Sequence, residues 1–257
     1  MFAFLFKRLP KVLSLVLLFI AIVLLGFLLI GCLDNTNQYS KIYLAQFQFN
    51  QTSSDVMNDI MISNSTQTFD SISLKVNYLA VCIDLNQNLT CTTYDKLNNL
   101  TSFNDISISP TSSLNLNLIS IVKSFSKICH PKVLEATIVL TLVLLLTICY
   151  TSIPYIPFKS NVKKFNCVLA SGTTLLWGLG SMLQMEAVNT STIMVNDASM
   201  DMVVANRGLR AEAMTWTAFA FIIVVNIHCF YVCFKDVIDL KRIENQKMNS
   251  ANFSVKV

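Results

Sequence analysis

Four long apolar segments alternate with polar stretches along this chain of 257 residues. The segment at residues 12–30 contains no charged side chain, and a helix of this length, rising about 1.5 Å per residue, spans a hydrocarbon core of about 30 Å. It is also longer than the apolar core of roughly 7–15 residues in a cleaved signal peptide, which favours a retained helix. Segments 133–153, 165–187 and 213–234 are similarly long and poor in charge. The pattern predicts four transmembrane helices.

The polar stretch at residues 31–132 shows a different pattern, in which apolar and polar residues alternate with a period of two. Residues 41–49 alternate with one slip of phase, and residues 71–83 alternate more cleanly. The shared face of the second run consists of Ile72, Leu74, Val76, Tyr78, Ala80 and Cys82. Residues 86–88 are expected to turn and residues 89–94 to return as a strand. Nearer the second span, one helix face is predicted to carry Leu118, Ile121, Val122, Phe125 and Ile128.

Composition supports a membrane protein and excludes a nucleic-acid-binding one. Hydrophobic residues make up 53% of the chain and charged residues 13%, with a mean hydropathy of +0.56. A soluble domain carries about 25% charged residues. The stretch 31–132 contains seven Asp and six Lys, so it is nearly neutral and offers no basic patch for nucleic acid.

Basic residues predict the orientation of the four spans. They gather at residues 1–11, in the short connection 154–164 and in the tail 235–257. Because basic segments stay on the cytoplasmic side, both termini are predicted to be cytoplasmic. The stretches 31–132 and 188–212 are then the two external loops.

Glycosylation sequons agree with this topology. Five lie in the predicted external loops, at Asn50, Asn64, Asn88, Asn99 and Asn189. Only Asn252 begins a sequon on the cytoplasmic side.

The eight cysteines fall into two groups. Cys32, Cys82, Cys91 and Cys129 lie in or beside the first external loop, where thiols oxidise. Cys82 and Cys91 enclose a short loop suited to a hairpin, so they form the favoured disulfide, and Cys32 with Cys129 is a second candidate pair. Four cysteines allow three connectivities, and the sequence does not choose among them. The other four lie within or near the cytoplasmic ends of the spans and are predicted to be reduced.

The element at residues 78–91 and the second half of the chain resemble a known family. Tyr78, Cys82 and Cys91 match a glycine-aromatic-x-glycine-x-cysteine element followed by a second cysteine, with Asn77 and Ala80 standing where the family has glycines. The segments "LLWGLGSMLQMEA" and "RGLRAEAMTWTAFAF" are also similar. The family is the fungal pheromone-induced, claudin-related one. The resemblance implies a bundle of four transmembrane helices whose first external loop is small, β-rich and disulfide-bonded, as in claudins.

Candidate chemistry is sparse. Glu186, Asp197 and Asp201 lie at or beyond the predicted external helix ends, and carboxylates of this kind attract calcium. Glu135 and Glu212 begin helices, where stabilisation of the helix dipole is the favoured interpretation. Cys229, Cys233 and His228 are better explained by helix packing than by a metal. No catalytic motif is present, so an enzyme, a cofactor and a metal centre are not predicted.

Two functional hypotheses follow. The resemblance implies a plasma-membrane regulator of low-affinity calcium influx and cell fusion during fungal mating, located at the mating projection or contact zone. Its expected partners are membrane lipids, calcium-channel or fusion-machinery proteins, and like molecules. The alternative is a structural claudin-like tetraspan that organises membrane domains or adhesion.

Overall fold

A computed structural model describes residues 2–36, 38–49, 72–85, 88–99, 107–111, 114–129, 131–153, 159–199 and 203–254. It contains five α-helices in these ranges: α1 (Phe2–Ile30), α2 (Leu118–Ile128), α3 (Pro131–Ser152), α4 (Lys159–Ala198) and α5 (Leu209–Ser254). The strands are β1 (Ala45–Phe49), β2 (Ile72–Val76), β3 (Ala80–Leu85), β4 (Asn88–Thr93), β5 (Ser107–Thr111), β6 (Leu114–Asn117) and β7 (Val203–Arg207). Short 3-10 helices occupy Tyr39–Lys41 and Tyr94–Asn99.

The four segments predicted to span the membrane lie inside long helices, apart from Ile153, which follows the end of α3. Within the described residues, three stretches are long and apolar enough to cross a bilayer: Leu9–Ile30, Ile121–Ser152 and Leu209–Asp239. Helix α4 contains the predicted third span but is not among them, because Ser, Thr, Gly and Gln residues dilute its apolar content. The structure therefore shows a mostly helical protein with three candidate membrane helices and a small sheet.

The chain divides into two compact units. The helical unit comprises Met1–Ile22, Ala136–Gly178 and Ala218–Val257, and the sheet unit comprises Val23–Glu135 and Leu179–Thr217. In the helical unit, a buried apolar cluster joins all four long helices through Leu18, Leu144, Ile148, Ala170, Val225 and Cys229. Many of its other large apolar side chains are exposed, among them Val139, Leu146 and Ile227. An apolar exterior of this kind suits lipid as the solvent.

The sheet unit is built on five antiparallel strands in the order β4-β3-β2-β1-β7. Strand β7 comes from the predicted second external loop, and it pairs with β1 from Ala45↔Arg207 to Phe49↔Val203. A separate pair, β5 and β6, forms a second small sheet. Helix α2 packs on this unit through Phe125, whose ring meets Phe47 edge to face with centroids 6.5 Å apart. The predicted helix over this region is confirmed, and Val122 and Phe125 of its predicted face are buried.

The predicted strand over residues 71–83 is wrong in one respect, because the structure divides it into β2 and β3 around a tight turn at residues 77–79. The turn keeps the alternation of apolar positions intact, so periodicity alone could not reveal it. Asn77 and Tyr78 face buried polar partners there, which a continuous strand would not reach. Of the predicted turn at 86–88, residues 86 and 87 lie outside the described residues, and Asn88 is the first residue of β4.

Candidate functional site in the sheet unit

A disulfide joins Cys82 of β3 to Cys91 of β4, the pair favoured by the sequence. The two residues are direct cross-strand partners, with Cα atoms 4.0 Å apart. β4 is an edge strand, and the backbone N–H of Cys91 donates to the side-chain oxygen of Asn35 at 2.8 Å. In the chain-entropy account, closing a loop this short stabilises the fold by about 2–3 kcal/mol. The disulfide thus fixes the outer hairpin of the sheet.

The second candidate pair is wrong, because Cys32 and Cys129 are both buried free thiols. The Cys32 thiol donates to the carbonyl oxygen of Ile42 at 3.5 Å and packs against Ala80 and Cys82. Burial raises the pKa of Cys32 to about 12, an effect that Lys75 partly offsets. A thiol that keeps its proton is a poor nucleophile, which disfavours its entry into a disulfide.

Cys32 also sits in an unusual backbone conformation. Its φ is 61°, in the left-handed region that residues with a Cβ rarely adopt, and it lies two residues after the end of α1. The backbone N–H of Cys32 donates to the carbonyl oxygen of Tyr39 at 3.1 Å, which ties the chain leaving α1 to the following 3-10 helix. The left-handed residue ends the helix and directs the chain towards β1.

Asn77, which stands where the resembled family has a glycine, is a buried anchor. Its Nδ2 group donates to the carbonyl oxygen of Leu28 at 2.9 Å, and its own carbonyl accepts from the Tyr94 hydroxyl at 2.6 Å. Its backbone N–H donates to the carbonyl oxygen of Ala80 at 3.0 Å. Its Oδ1 atom is buried without a partner. The turn between β2 and β3 is therefore bonded to the end of α1 through a side chain that a glycine would lack.

Tyr78 links the same turn to α4 and α5. Its hydroxyl donates to Oε1 of Gln184 at 2.8 Å. The Thr215 hydroxyl lies 3.2 Å from the same oxygen and 2.8 Å from the carbonyl oxygen of Ala211, so its one hydrogen is shared between these two acceptors. All three side chains are buried. Burial raises the pKa of Tyr78 far above its usual range, and the nearby Cys129 adds to this effect, so the hydroxyl remains a donor. Gln184 is the acceptor that draws three elements of the sheet unit together.

Two glycines permit close backbone contacts in this unit. A Cβ at Gly31 would overlap the Asn77 amide and the carbonyl oxygen of Ile42. A Cβ at Gly208 would overlap the backbone carbonyl of Tyr43, while the Gly208 N–H donates to the carbonyl oxygen of Leu44 at 2.9 Å. Gly208 therefore brings the junction of β7 and α5 against the chain that enters β1.

Ala80 fills the second position at which the resembled family has glycine. It is fully buried between Cys32 and Cys82. The methyl group of Ala80 therefore belongs to the packed cluster around the disulfide.

The structure describes two of the three predicted cation-attracting residues. Glu186 and Asp197 are both exposed on α4, and 11 residues of helix separate them by about 16 Å along its axis. Asp201 lies outside the described residues. No group of three or more His, Cys, Asp or Glu side chains among the described residues is arranged to hold a metal.

The sequons fall in several settings. Asn50 and Asn64 lie outside the described residues, Asn88 begins β4 and Asn99 ends a 3-10 helix. Asn189 lies inside α4, and its Oδ1 atom is buried without a partner. Glycosylation at these positions stays a prediction.

Sequence reasoning missed Gln184, Thr215, Gly31 and Gly208 as structural determinants. Gln184 is a polar side chain near the end of an apolar segment, and such residues in membrane helices usually bond to another element. The polar side chain of Gln184 in an apolar segment was visible in the sequence. Its partner Tyr78 lies in a distant loop, and the spacing of residues could not identify it.

These features define a class: a protein of several long apolar helices with a disulfide-bonded antiparallel sheet formed by the segments between them. Comparison with known proteins gives the family. The model of the family described as "Ca2+ regulator and membrane fusion protein Fig1" matches residues 60–235. The "Factor-induced gene 1 protein" of Saccharomyces cerevisiae is 30% identical over 266 residues, covering 91% of this chain and 87% of the yeast protein. The chain belongs to the Fig1 family of calcium regulators and membrane fusion proteins.

Proposed function

We propose that this protein supports calcium influx and cell fusion at the plasma membrane of mating fungal cells, and that its sheet unit is the acting surface. Family membership carries calcium regulation and membrane fusion. The name of the yeast relative adds induction by a factor, which we extend to this chain as induction during mating.

We further propose that the chain crosses the membrane four times and that α4 is the third membrane-spanning helix. At 40 residues α4 is about 60 Å long, more than a bilayer requires. One face of the helix exposes Val168, Leu175, Leu179 and Met182, while Thr173, Ser181 and Gln184 are buried. A helix that hides its polar residues and exposes its apolar ones suits lipid contact. The basic segments then place both termini in the cytoplasm and both loops outside.

In this arrangement the two external loops form one claudin-like surface, since β1 from the first loop pairs with β7 from the second. This pairing is the observation that carries the proposal. A sheet closed by a disulfide and bonded to the helix ends presents a fixed face to neighbouring proteins or lipids. Channel proteins, fusion proteins and further copies of this chain are the partners we propose for it.

We propose regulation of calcium entry rather than conduction. The predicted spans carry no charge at their centres, which conducting pathways for ions usually need. The exposed carboxylates of Glu186 and Asp197 are too far apart to share one calcium ion, whose ligands lie about 2.3–2.6 Å from it.

The test uses fungal cells that lack their own copy and express either the wild-type chain or a variant. Replacing both Cys82 and Cys91 by Ser should abolish pheromone-stimulated calcium uptake and reduce the fused fraction of mating pairs. Neutralising the acids together (Glu186→Gln, Asp197→Asn, Asp201→Asn) should lower uptake by less than about twofold, because salt screens exposed charges within about 8 Å.

Reconstitution separates regulation from conduction. Liposomes containing this protein alone should remain impermeable to calcium. Calcium flux through such liposomes that stops in the acidic triple variant would show that the protein is itself a pore.

A further inference from the structure

Three free cysteines lie together in the helical unit, where α4 meets α5. The thiols of Cys167 on α4 and Cys233 on α5 are in hydrogen-bond contact, and we call these two residues the thiol pair. Both lie close enough to Cys229, one helical turn before Cys233, to interact with it electrostatically. The functions proposed above leave this cluster without a role.

Contacts on either side of the thiol pair define its position in the interface. Lys163 of α4 is bonded to Asp236 of α5 at 2.8 Å. Ala170, seven residues later in α4, belongs to one packed cluster with Cys229, which lies seven residues earlier in α5. The two helices therefore run antiparallel here. The thiol pair lies between these two contacts on both helices, four residues after Lys163 and three before Asp236, so each cysteine is on the contacting face of its helix.

The chemistry open to this cluster is narrow. Among the residues that the structure describes, no group of three or more His, Cys, Asp or Glu side chains is arranged to hold a metal, so the three thiols do not form a metal site. The side chains around the thiol pair include alanine and cysteine, which are small and let the helix backbones approach closely. Two thiols in contact across such an interface can be oxidised to a disulfide.

The two members of the thiol pair differ in exposure. Cys167 is buried, whereas Cys233 is only partly buried, so an oxidant from solution reaches Cys233 first. Both lie within two residues of the span ends predicted at 165 and 234, on the side of the basic segments 154–164 and 235–257. That side is cytoplasmic in the topology proposed above. Cytoplasmic thiols are kept reduced, and the disulfides that do form there are usually transient and redox-sensing.

We infer that Cys167 and Cys233 form a reversible disulfide that ties α4 to α5 when a hydroperoxide is present. The hydroperoxide oxidises the Cys233 thiol to a sulfenic acid and is itself reduced to an alcohol, or to water if it is hydrogen peroxide. The sulfur of Cys167 then attacks the sulfenic sulfur, and the departing hydroxyl takes the Cys167 proton and leaves as water. The two thiols thereby lose the two electrons that cleave the O–O bond. A small thiol reductant reverses the change by thiol–disulfide exchange.

The experiment uses the full chain in detergent, treated with hydrogen peroxide, denatured, alkylated and mapped by mass spectrometry. Before oxidation six cysteines should be alkylated, and the oxidised protein should show a new Cys167–Cys233 peptide that a reductant removes. A link from Cys167 to Cys229 instead would overturn the proposal. Oxidation of the separate cysteines to sulfinic acids without any link would also overturn it.

Single variants test which thiols take part. Cys233→Ser should abolish the new link. Cys149→Ser removes an exposed thiol of α3, serves as the matched control and should leave the link in place. Cys229→Ser should also keep the link, and its loss in that variant would show that the assignment of Cys233 as the partner is wrong.

Thermal unfolding measures whether the link ties the helices together. Because it closes a loop of 66 positions, oxidation should raise the unfolding temperature of the wild-type protein by about 5 °C or more, and reductant should remove the increase. The same treatment of Cys233→Ser should cause no increase. A wild-type protein that forms the link but unfolds at an unchanged temperature would contradict a tie between α4 and α5.

Intact fungal cells separate this inference from the topology. Cells exposed to hydroperoxide and then quenched with an alkylating reagent should contain the Cys167–Cys233 link. A membrane-permeant reductant should reverse it, and an impermeant reductant should not. Reversal by the impermeant reductant would overturn the cytoplasmic placement of the thiol pair. Absence of the link both in cells and in detergent would overturn the disulfide itself and leave the calcium and fusion roles untouched.

Discussion

The sheet unit and the helical unit are each stabilised internally by a different kind of interaction. The sheet unit depends on directional features: a disulfide, buried hydrogen bonds at Asn77 and Gln184, and two glycines that permit backbone contact. The helical unit depends on apolar packing around Leu18, Leu144 and Val225, with much of its surface apolar as well. Removing one atom from a directional contact leaves its partner group unsatisfied, whereas volume-conserving changes of apolar side chains usually cost less than about 1.5 kcal/mol. Single substitutions should therefore act far more strongly in the sheet unit.

The largest effect on stability is expected from a glycine substitution in the sheet unit. A glycine of the helical unit serves as its matched control. Gly208→Ala places a methyl group against the Tyr43 backbone and should destabilise the protein by about 3 kcal/mol or block its delivery to the cell surface. Gly172→Ala in the helical unit meets open space and should be neutral or stabilise α4 by up to about 1 kcal/mol. Thermal unfolding of purified protein in detergent measures both. Equal losses for the two variants would contradict the comparison.

The next largest effect on stability is expected from removal of the disulfide between Cys82 and Cys91. The double variant Cys82→Ser, Cys91→Ser should lose about 2–3 kcal/mol, because the unfolded hairpin regains its freedom. In the native wild-type protein, an alkylating reagent at pH 8 should label neither these cysteines nor Cys32, whose burial holds its pKa near 12. Denaturation should expose Cys32, and labelling of Cys82 and Cys91 should need a reductant as well. Rapid labelling of Cys32 in the folded protein would show that its packing against Ala80 and Cys82 is wrong.

The same pKa sets a pH dependence for the sheet unit. An unfolded thiol loses its proton near its ordinary pKa of 9.0, whereas burial raises the pKa of folded Cys32 to about 12. The unfolded state therefore binds fewer protons across this range, and stability should fall as pH rises from 9. Cys32→Ala should reduce the slope of stability against pH in that window, as measured by thermal unfolding.

Sequence alone predicted the features that repeat regularly or lie close together along the chain. The apolar segments, α2, the β3–β4 hairpin and its disulfide all follow from periodicity or from the spacing of Cys82 and Cys91. Strand β7 was missed because residues 203–207 form a strand only by pairing with β1, more than 150 positions earlier. The hydrogen bond from Tyr78 to Gln184 spans 106 positions and was missed for the same reason, because its two residues are far apart in the sequence. The turn at residues 77–79 was missed because it preserves the alternation around it.

A smaller effect is expected from single hydroxyl groups. Tyr78→Phe removes the hydrogen bond to Gln184 and should cost about 1 kcal/mol, since the Thr215 hydroxyl can then turn its hydrogen from the Ala211 carbonyl to the Gln184 oxygen 3.2 Å away. Combining it with Thr215→Val should cost more than the sum of the single changes, because the Gln184 oxygen would then lose both donors. Tyr150→Phe, at an exposed tyrosine of the helical unit, is the control and should cost almost nothing. If the stability losses of Tyr78→Phe and Thr215→Val simply add in the double variant, the two hydroxyl groups do not share the Gln184 oxygen as their acceptor.

The smallest effect on stability is expected from the ion pair of the helical unit. Lys163 and Asp236 are each partly exposed, with 23% and 31% of their side chains accessible, and pairs of this kind contribute about 0–1 kcal/mol. Asp236→Asn should therefore shift unfolding no more than Asp239→Asn, at an exposed position on the same helix. Raising the salt concentration should reduce even that small shift. If Asp236→Asn instead costs more than Tyr78→Phe, a directional contact governs the helical unit too, and the distinction between the two units fails.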